Sequence, residues 1–139
     1  MRSLIFAMLA LALAGCAGTM LPGKLYALKD ATVLEFQIQT SYGSGSMTAT
    51  NPKTGEKFTG QYTGIYHGQK SAFTNVSDNR GNSATVTSFS PPTNATAKGV
   101  LMGDMGTVIE LFMEIQPGIK PRGNGEGVDN HGQRYQVQF

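Results

Sequence analysis

From Leu25 to the C-terminus, apolar residues return at every second position in short runs and never sustain a helical stripe, and this period restricts the fold more than any other feature. Successive side chains of a strand point to opposite sides, so a period of two marks a strand with one buried face. Residues 107–115 show it best: Ile109, Leu111, Met113 and Ile115 share one face, with Val108, Glu110, Phe112 and Glu114 on the other. This most apolar segment is expected to lie centrally. Residues 133–139 would place Tyr135, Val137 and Phe139 inward, so the chain is expected to finish inside a sheet. Leu34, Phe36 and Ile38 mark a strand in 33–39, Met47 and Ala49 one in 46–50, and Phe58, Gly60 and Tyr62 one in 56–63. Segments 72–77, 83–89 and 95–102 complete the set. The expected fold is all-β: a single small antiparallel barrel or sandwich of about eight strands over residues 25–139.

Turn chemistry agrees with the alternation. Asp78-Asn79-Arg80-Gly81 and Asp129-Asn130-His131-Gly132 share the pattern D-N-x-G, and Gly103-Asp104-Met105-Gly106 is a looser version. Asp at the first place accepts hydrogen bonds from the turn backbone, and Gly at the fourth takes the left-handed conformation that ends a type I turn with a bulge. Asn51-Pro52-Lys53-Thr54-Gly55 is a fourth such turn, with Pro where its fixed φ suits. Gly43-Ser44-Gly45 and Gly123-Asn124-Gly125-Glu126-Gly127 read as strands bent or bulged where a sheet must curve.

The N-terminus differs from all of this. Arg2 is followed by an unbroken apolar run over residues 4–14, a charged n-region and an h-region roughly half the length a membrane-spanning helix needs. It ends in Leu13-Ala14-Gly15-Cys16, which resembles the lipobox of bacterial lipoproteins. The resemblance implies a signal helix over residues 1–15, cleavage between Gly15 and Cys16, a diacylglyceryl group on the Cys16 sulfur, and acylation of the new amine with chains such as palmitate. Two or more acyl chains hold a protein stably to a bilayer. Cys16 is the only cysteine, so no internal disulfide can form and lipidation gives the thiol a purpose. Ala17, in place of Asp, implies by the same resemblance the outer membrane and its periplasmic leaflet. Cys16 and a tether through residue 24, interrupted by Pro22 and Gly23, would precede the β domain.

Cleavage removes 15 of the 139 residues and leaves 124, enough for one domain with a core. Losing Arg2 brings the 11 Lys and Arg close to balance with the 9 Asp and Glu, so no basic stripe points to nucleic acid.

The segment from Lys98 to Leu111, with Gly103-Asp104-Met105-Gly106-Thr107, and the ending Gly123 to Phe139 resemble small uncharacterised lipoproteins of proteobacteria, and residues 43–62 are similar to their N-terminal hairpin. In some members a cysteine pair stands where this chain has Leu111 and Gly127. The resemblance implies an envelope address and no activity.

Residues with catalytic potential are sparse. His67 and His131 stand alone in glycine-bearing loops with no second His or Cys at metal-ligand spacing, and the Asp-Asn pairs lack the spacing of a calcium loop, so neither metal nor cofactor is expected. Glu110 and Glu114 share a face, which suits acid-base work or, more simply, a solvated wall. Tyr62, Ile65, Tyr66, His67 and Phe73 gather around a glycine-bearing bend and are the candidate partner surface; the competing reading is that these aromatics plug one end of the barrel. The expected function is that of a membrane-anchored envelope lipoprotein, a noncatalytic binding or structural module with an envelope protein as partner. The alternatives are a small β-barrel inhibitor acting in the periplasm, which such proteins resemble in the manner of lysozyme inhibitors, and an uncharacterised hydrolase.

Overall fold

The computed structural model describes residues 19–39, 43–68, 70–77, 80–81, 83–90 and 92–139; the signal segment, Gly15, Cys16 and the first tether residues lie outside them. Ten strands are described: β1 (Met20–Ala27), β2 (Val33–Gln39), β3 (Ser44–Thr50), β4 (Lys57–His67), β5 (Lys70–Ser77), β6 (Ser83–Ser90), β7 (Asn94–Gly103), β8 (Val108–Gln116), β9 (Arg122–Asp129) and β10 (Arg134–Gln138). Eight of them close into a barrel in the order β1-β10-β9-β8-β7-β4-β3-β2, every pair antiparallel. Closure pairs every strand edge of the barrel, and so decides for a barrel over a sandwich.

The expected number of strands is met, but with different members. Segments 72–77 and 83–89 form β5 and β6, which pair only with each other as a separate two-stranded sheet. Their places in the barrel are taken by β1 and β9, neither of which carries a clear alternating signal. β1 includes residues 20–24, assigned above to the tether; Pro22 and Gly23 break the apolar pattern, yet both are paired with β2. Pro22 is exposed at a position facing Gln37, where the missing N–H is tolerated. β9 has Gly123, Gly125 and Gly127 at its inward positions, which give no hydrophobic period at all.

The inward faces follow the predicted alternation. Leu34, Phe36 and Ile38 from β2, Met47 and Ala49 from β3, Ile109, Leu111 and Met113 from β8, and Tyr135 and Val137 from β10 are all buried, joined by Leu25, Phe58 and Leu101. Side chains fill the interior, as an eight-stranded barrel is just wide enough to allow.

One packing rule explains the glycines. Each inward aromatic lies directly across from a glycine on a neighbouring strand: Phe36 from Gly23, Phe58 from Gly103, Tyr62 from Gly45 and Gly99, and Tyr135 from Gly127. Phe139 and Gly123 exchange both backbone hydrogen bonds in the same manner. A Cβ added at Gly123 would stand 2.2 Å from the Phe139 ring, and one at Gly45 would stand 2.7 Å from the Tyr62 ring. In a narrow barrel a ring fits where the facing residue has no side chain, and the ring in turn covers the glycine backbone.

The two ends of the barrel are unlike. At one end the strands are joined by tight turns within 28–32, 51–56, 104–107 and 130–133. The D-N-x-G turn closes as expected: Asp129 Oδ1 accepts from the N–H groups of His131 (2.8 Å) and Gln133 (2.9 Å), and Gly132 has a φ of 80°. At the other end β4 and β7 run on past the barrel. His67 and Asn94 are the last pair of the barrel wall, and beyond them β5 and β6 form an arm. β1 begins at this arm end, since Met20 pairs with Gln39, the last residue of β2.

Candidate functional site

The candidate partner residues separate along β4. Tyr62 is turned into the barrel, 6 % exposed, and its hydroxyl donates to the Gln39 carbonyl at 2.9 Å. It is therefore a core residue and is withdrawn from the partner surface. The reason is its place in the inward row with Phe58 and Gly60, opposite two glycines that leave room for its ring. Ile65, Tyr66, His67 and Phe73 remain exposed and follow one another from the barrel rim onto the arm. His67 Nε2 is 3.0 Å from Thr96 Oγ1, a contact across the β4–β7 pair that fixes the ring at the rim.

The arm adds residues that the sequence did not single out. Its register sets Phe73 opposite Thr87 and Phe89 opposite Ser71, which places both rings on one face as diagonal neighbours. Each ring is 72 % exposed, and Val86 is also exposed. An isolated two-stranded hairpin is marginally stable in water, and among the described residues neither outer edge of this one is paired. Alternation in 72–77 and 83–89 is the same as in the barrel strands, so the sequence carries no signal that both faces of this pair are solvated.

The turn end presents a second candidate, a pocket of about 250 Å³. Asp30, Glu56 and Asp129 line it together with Thr107, His131 and Tyr135. All three carboxylates are held by local donors. Asp30 pairs with Lys53 at 3.0 Å and accepts from the Thr32 N–H at 3.1 Å, and these bonds, the Lys53 one foremost, hold its carboxyl down at about 2. Glu56 is buried: Oε1 accepts from the N–H groups of Met105 and Thr107, and Oε2 from Thr107 Oγ1 at 2.9 Å. Asp129 Oδ2 accepts from the Tyr135 hydroxyl at 2.9 Å. Such carboxylates tie the turns together. The volume also lies below the 300 Å³ or so at which pockets for drug-sized ligands begin.

Burial, followed by donation to Asp129, pushes the Tyr135 phenol above its ordinary 10.0, so the hydroxyl stays protonated and acts as a donor, not a base. A phenol whose folded value exceeds its unfolded value contributes stability that is whole below pH 10 and is lost as pH rises toward the folded value. Unfolding free energy is thus expected to fall above pH 10, and Tyr135→Phe to flatten that fall while costing about 1 to 2 kcal/mol at neutral pH. Denaturant titrations of the two proteins between neutral and strongly alkaline pH check this; parallel declines would show that the coupling is absent.

Glu110 and Glu114 are both exposed on the outer wall of β8. Four strand positions separate them, about 13 Å at 3.3 Å per residue, too far for two carboxylates to share one reacting group. His131 is exposed in its turn and donates its backbone N–H to Asp129. Among the described residues no three His, Cys, Asp or Glu converge on a point where a metal could sit, and no helix is long and apolar enough to cross a membrane. No protein-family model, no curated protein and no solved structure matches the chain.

Proposed function

We propose that this chain is a lipid-anchored lipoprotein of the outer membrane, facing the periplasm, that works without catalysis as a binding or structural module and binds through the β5–β6 arm. The arm is the observation that carries the reading. Eight strands close a filled barrel without it, and the described side chains of the arm are exposed on both faces, with Phe73 and Phe89 on one of them. Rings this exposed do not contribute to a core, and loops displayed from a rigid scaffold are where recognition concentrates. The carboxylates of the turn-end pocket, each satisfied by local donors, favour a noncatalytic role.

Two experiments test the two halves of the proposal. Cys16→Ser is expected to block processing and move the protein out of the membrane fraction; unchanged fractionation would remove the anchor. For the arm, trypsin is expected to cut after Arg80 in detergent-solubilised protein and to leave the same bond intact in native membranes. Equal cutting in both preparations would mean that nothing covers the arm. A closed small barrel is also compatible with an inhibitor that offers its arm to an enzyme cleft. Purified protein that leaves lysozyme fully active at micromolar concentration would dispose of that alternative.

A further inference from the structure

Resting on the anchor just proposed, we infer that the arm end of the barrel is its membrane-facing end and that the arm binds the bilayer surface itself. The connectivity supplies the first argument. Met20 opens β1 at the end from which the arm departs, and only four residue steps separate Cys16 from it, a reach of at most about 14 Å. A lipid on Cys16 thus holds this end of the barrel, and not the turn end, against the headgroups. The arm is longer than that tether: the eight residues of β5 extend about 26 Å at 3.3 Å per residue. An arm of that length leaving the anchored end is long enough to reach the bilayer.

What the arm end presents suits that neighbour. Phe73 and Phe89 share one face of the arm, and Ile119, fully exposed in the β8–β9 connection, stands at the same end. Lys70 and Arg80 on the arm, with Lys120 and Arg122 beside Ile119, provide cations for anionic headgroups. The turn carboxylates Asp30, Asp104 and Asp129 lie at the opposite end, away from the membrane. Lys70 lies on the opposite face of the arm from the two rings, at its base, so the cations stand at the arm's ends and at the barrel rim around an aromatic face. Rings with cations nearby suit a surface seated at the headgroup and acyl boundary.

The chain contains no tryptophan, so single reporters can be placed without background. Phe73→Trp, Phe89→Trp and Met105→Trp, the last at the turn end, would each be purified as the lipidated protein and reconstituted in phosphatidylethanolamine–phosphatidylglycerol vesicles with brominated acyl chains. All three positions are exposed, and circular dichroism checks that the barrel is intact. Emission from positions 73 and 89 is expected to shift to the blue and to be quenched about twofold by bromines 5–10 Å below the headgroups, with position 105 unaffected. Quenching at 73 and 89 no greater than at 105, in protein that floats with the vesicles, overturns this inference and leaves the anchor standing. Protein that does not float with vesicles overturns the anchor and this inference together. Photocrosslinks from position 73 that reach a protein to the exclusion of lipid would assign the arm to that protein instead.

Discussion

Gly60→Ala is expected to lower the thermal midpoint of the barrel by roughly 10 °C or more, the largest effect of any single methyl group in this chain. Gly60 sits in β4 between Met47 and Leu101, and a Cβ built there would stand 1.8 Å from the Val100 carbonyl oxygen and 2.8 Å from the Val100 carbonyl carbon. The obstacle is backbone on the adjoining strand, so no rotamer change relieves it. Either β4 and β7 part at this point, losing ladder hydrogen bonds, or the barrel changes its curvature. Overpacking costs about 1–3 kcal/mol where side chains can yield, and a clash with backbone belongs at or above the top of that range. Gly125→Ala meets the Phe112 carbonyl oxygen at 2.1 Å and should behave alike. Gly118→Ala is the control: nothing lies within 4 Å of its Cβ, and its effect should stay within about 0.5 kcal/mol. Thermal melts of the three variants decide the matter. If Gly60→Ala and Gly118→Ala melt together, the strands are not held as closely as described.

Glu56→Ala should destabilise the protein by about 3 kcal/mol. The carboxylate reaches from the end of the β3–β4 turn to the β7–β8 turn, and its removal leaves two backbone N–H groups and the Thr107 hydroxyl without their acceptor. The bonds are part-buried and their acceptor is a buried charged carboxylate, so losing three of them together carries most of the penalty. Gly103 belongs to the same arrangement, because a Cβ there would take the place of Glu56 Oε1. Glu56→Gln keeps one carbonyl oxygen for the two N–H groups and should lose about half as much, and Thr107→Val, which removes one bond, about 1 kcal/mol. Denaturant midpoints with an unchanged m-value would show that the loss is in stability and not in compactness. A Glu56→Ala protein within about 0.5 kcal/mol of the parent would mean that water replaces the carboxylate, and that the turn end is open.

Neither of these residues was marked by the sequence as important, whereas much of the scaffold around them was. Leu34, Phe36 and Ile38 point inward as their spacing predicts, and so do Ile109, Leu111 and Met113. Asp129 and Gly132 form the turn that D-N-x-G describes. These features are local: a strand period or a turn conformation is set within four or five residues, and the sequence states it directly. The candidate surface was partly legible. Ile65, Tyr66, His67 and Phe73 are exposed, but Tyr62 belongs to the inward row and Phe89 reaches the same face as Phe73 only through the pairing of β5 with β6.

The sequence by itself determined the all-β class, the turns at 51–55, 103–106 and 129–132 and the inward row of most strands, because each is encoded by neighbours along the chain. The turn expected at 78–81 lies partly outside the described residues. Only the tertiary structure decided which eight strands close the barrel. Residues 72–77 and 83–89 alternate like half-buried strands and yet form an arm in solvent, while β9, with three glycines where a core face should be, completes the wall. Both outcomes have one physical cause. Whether a face is buried depends on what stands opposite it, and inside this barrel Phe139, just past β10, and Leu111 of β8 fill the space that Gly123 and Gly127 of β9 leave empty.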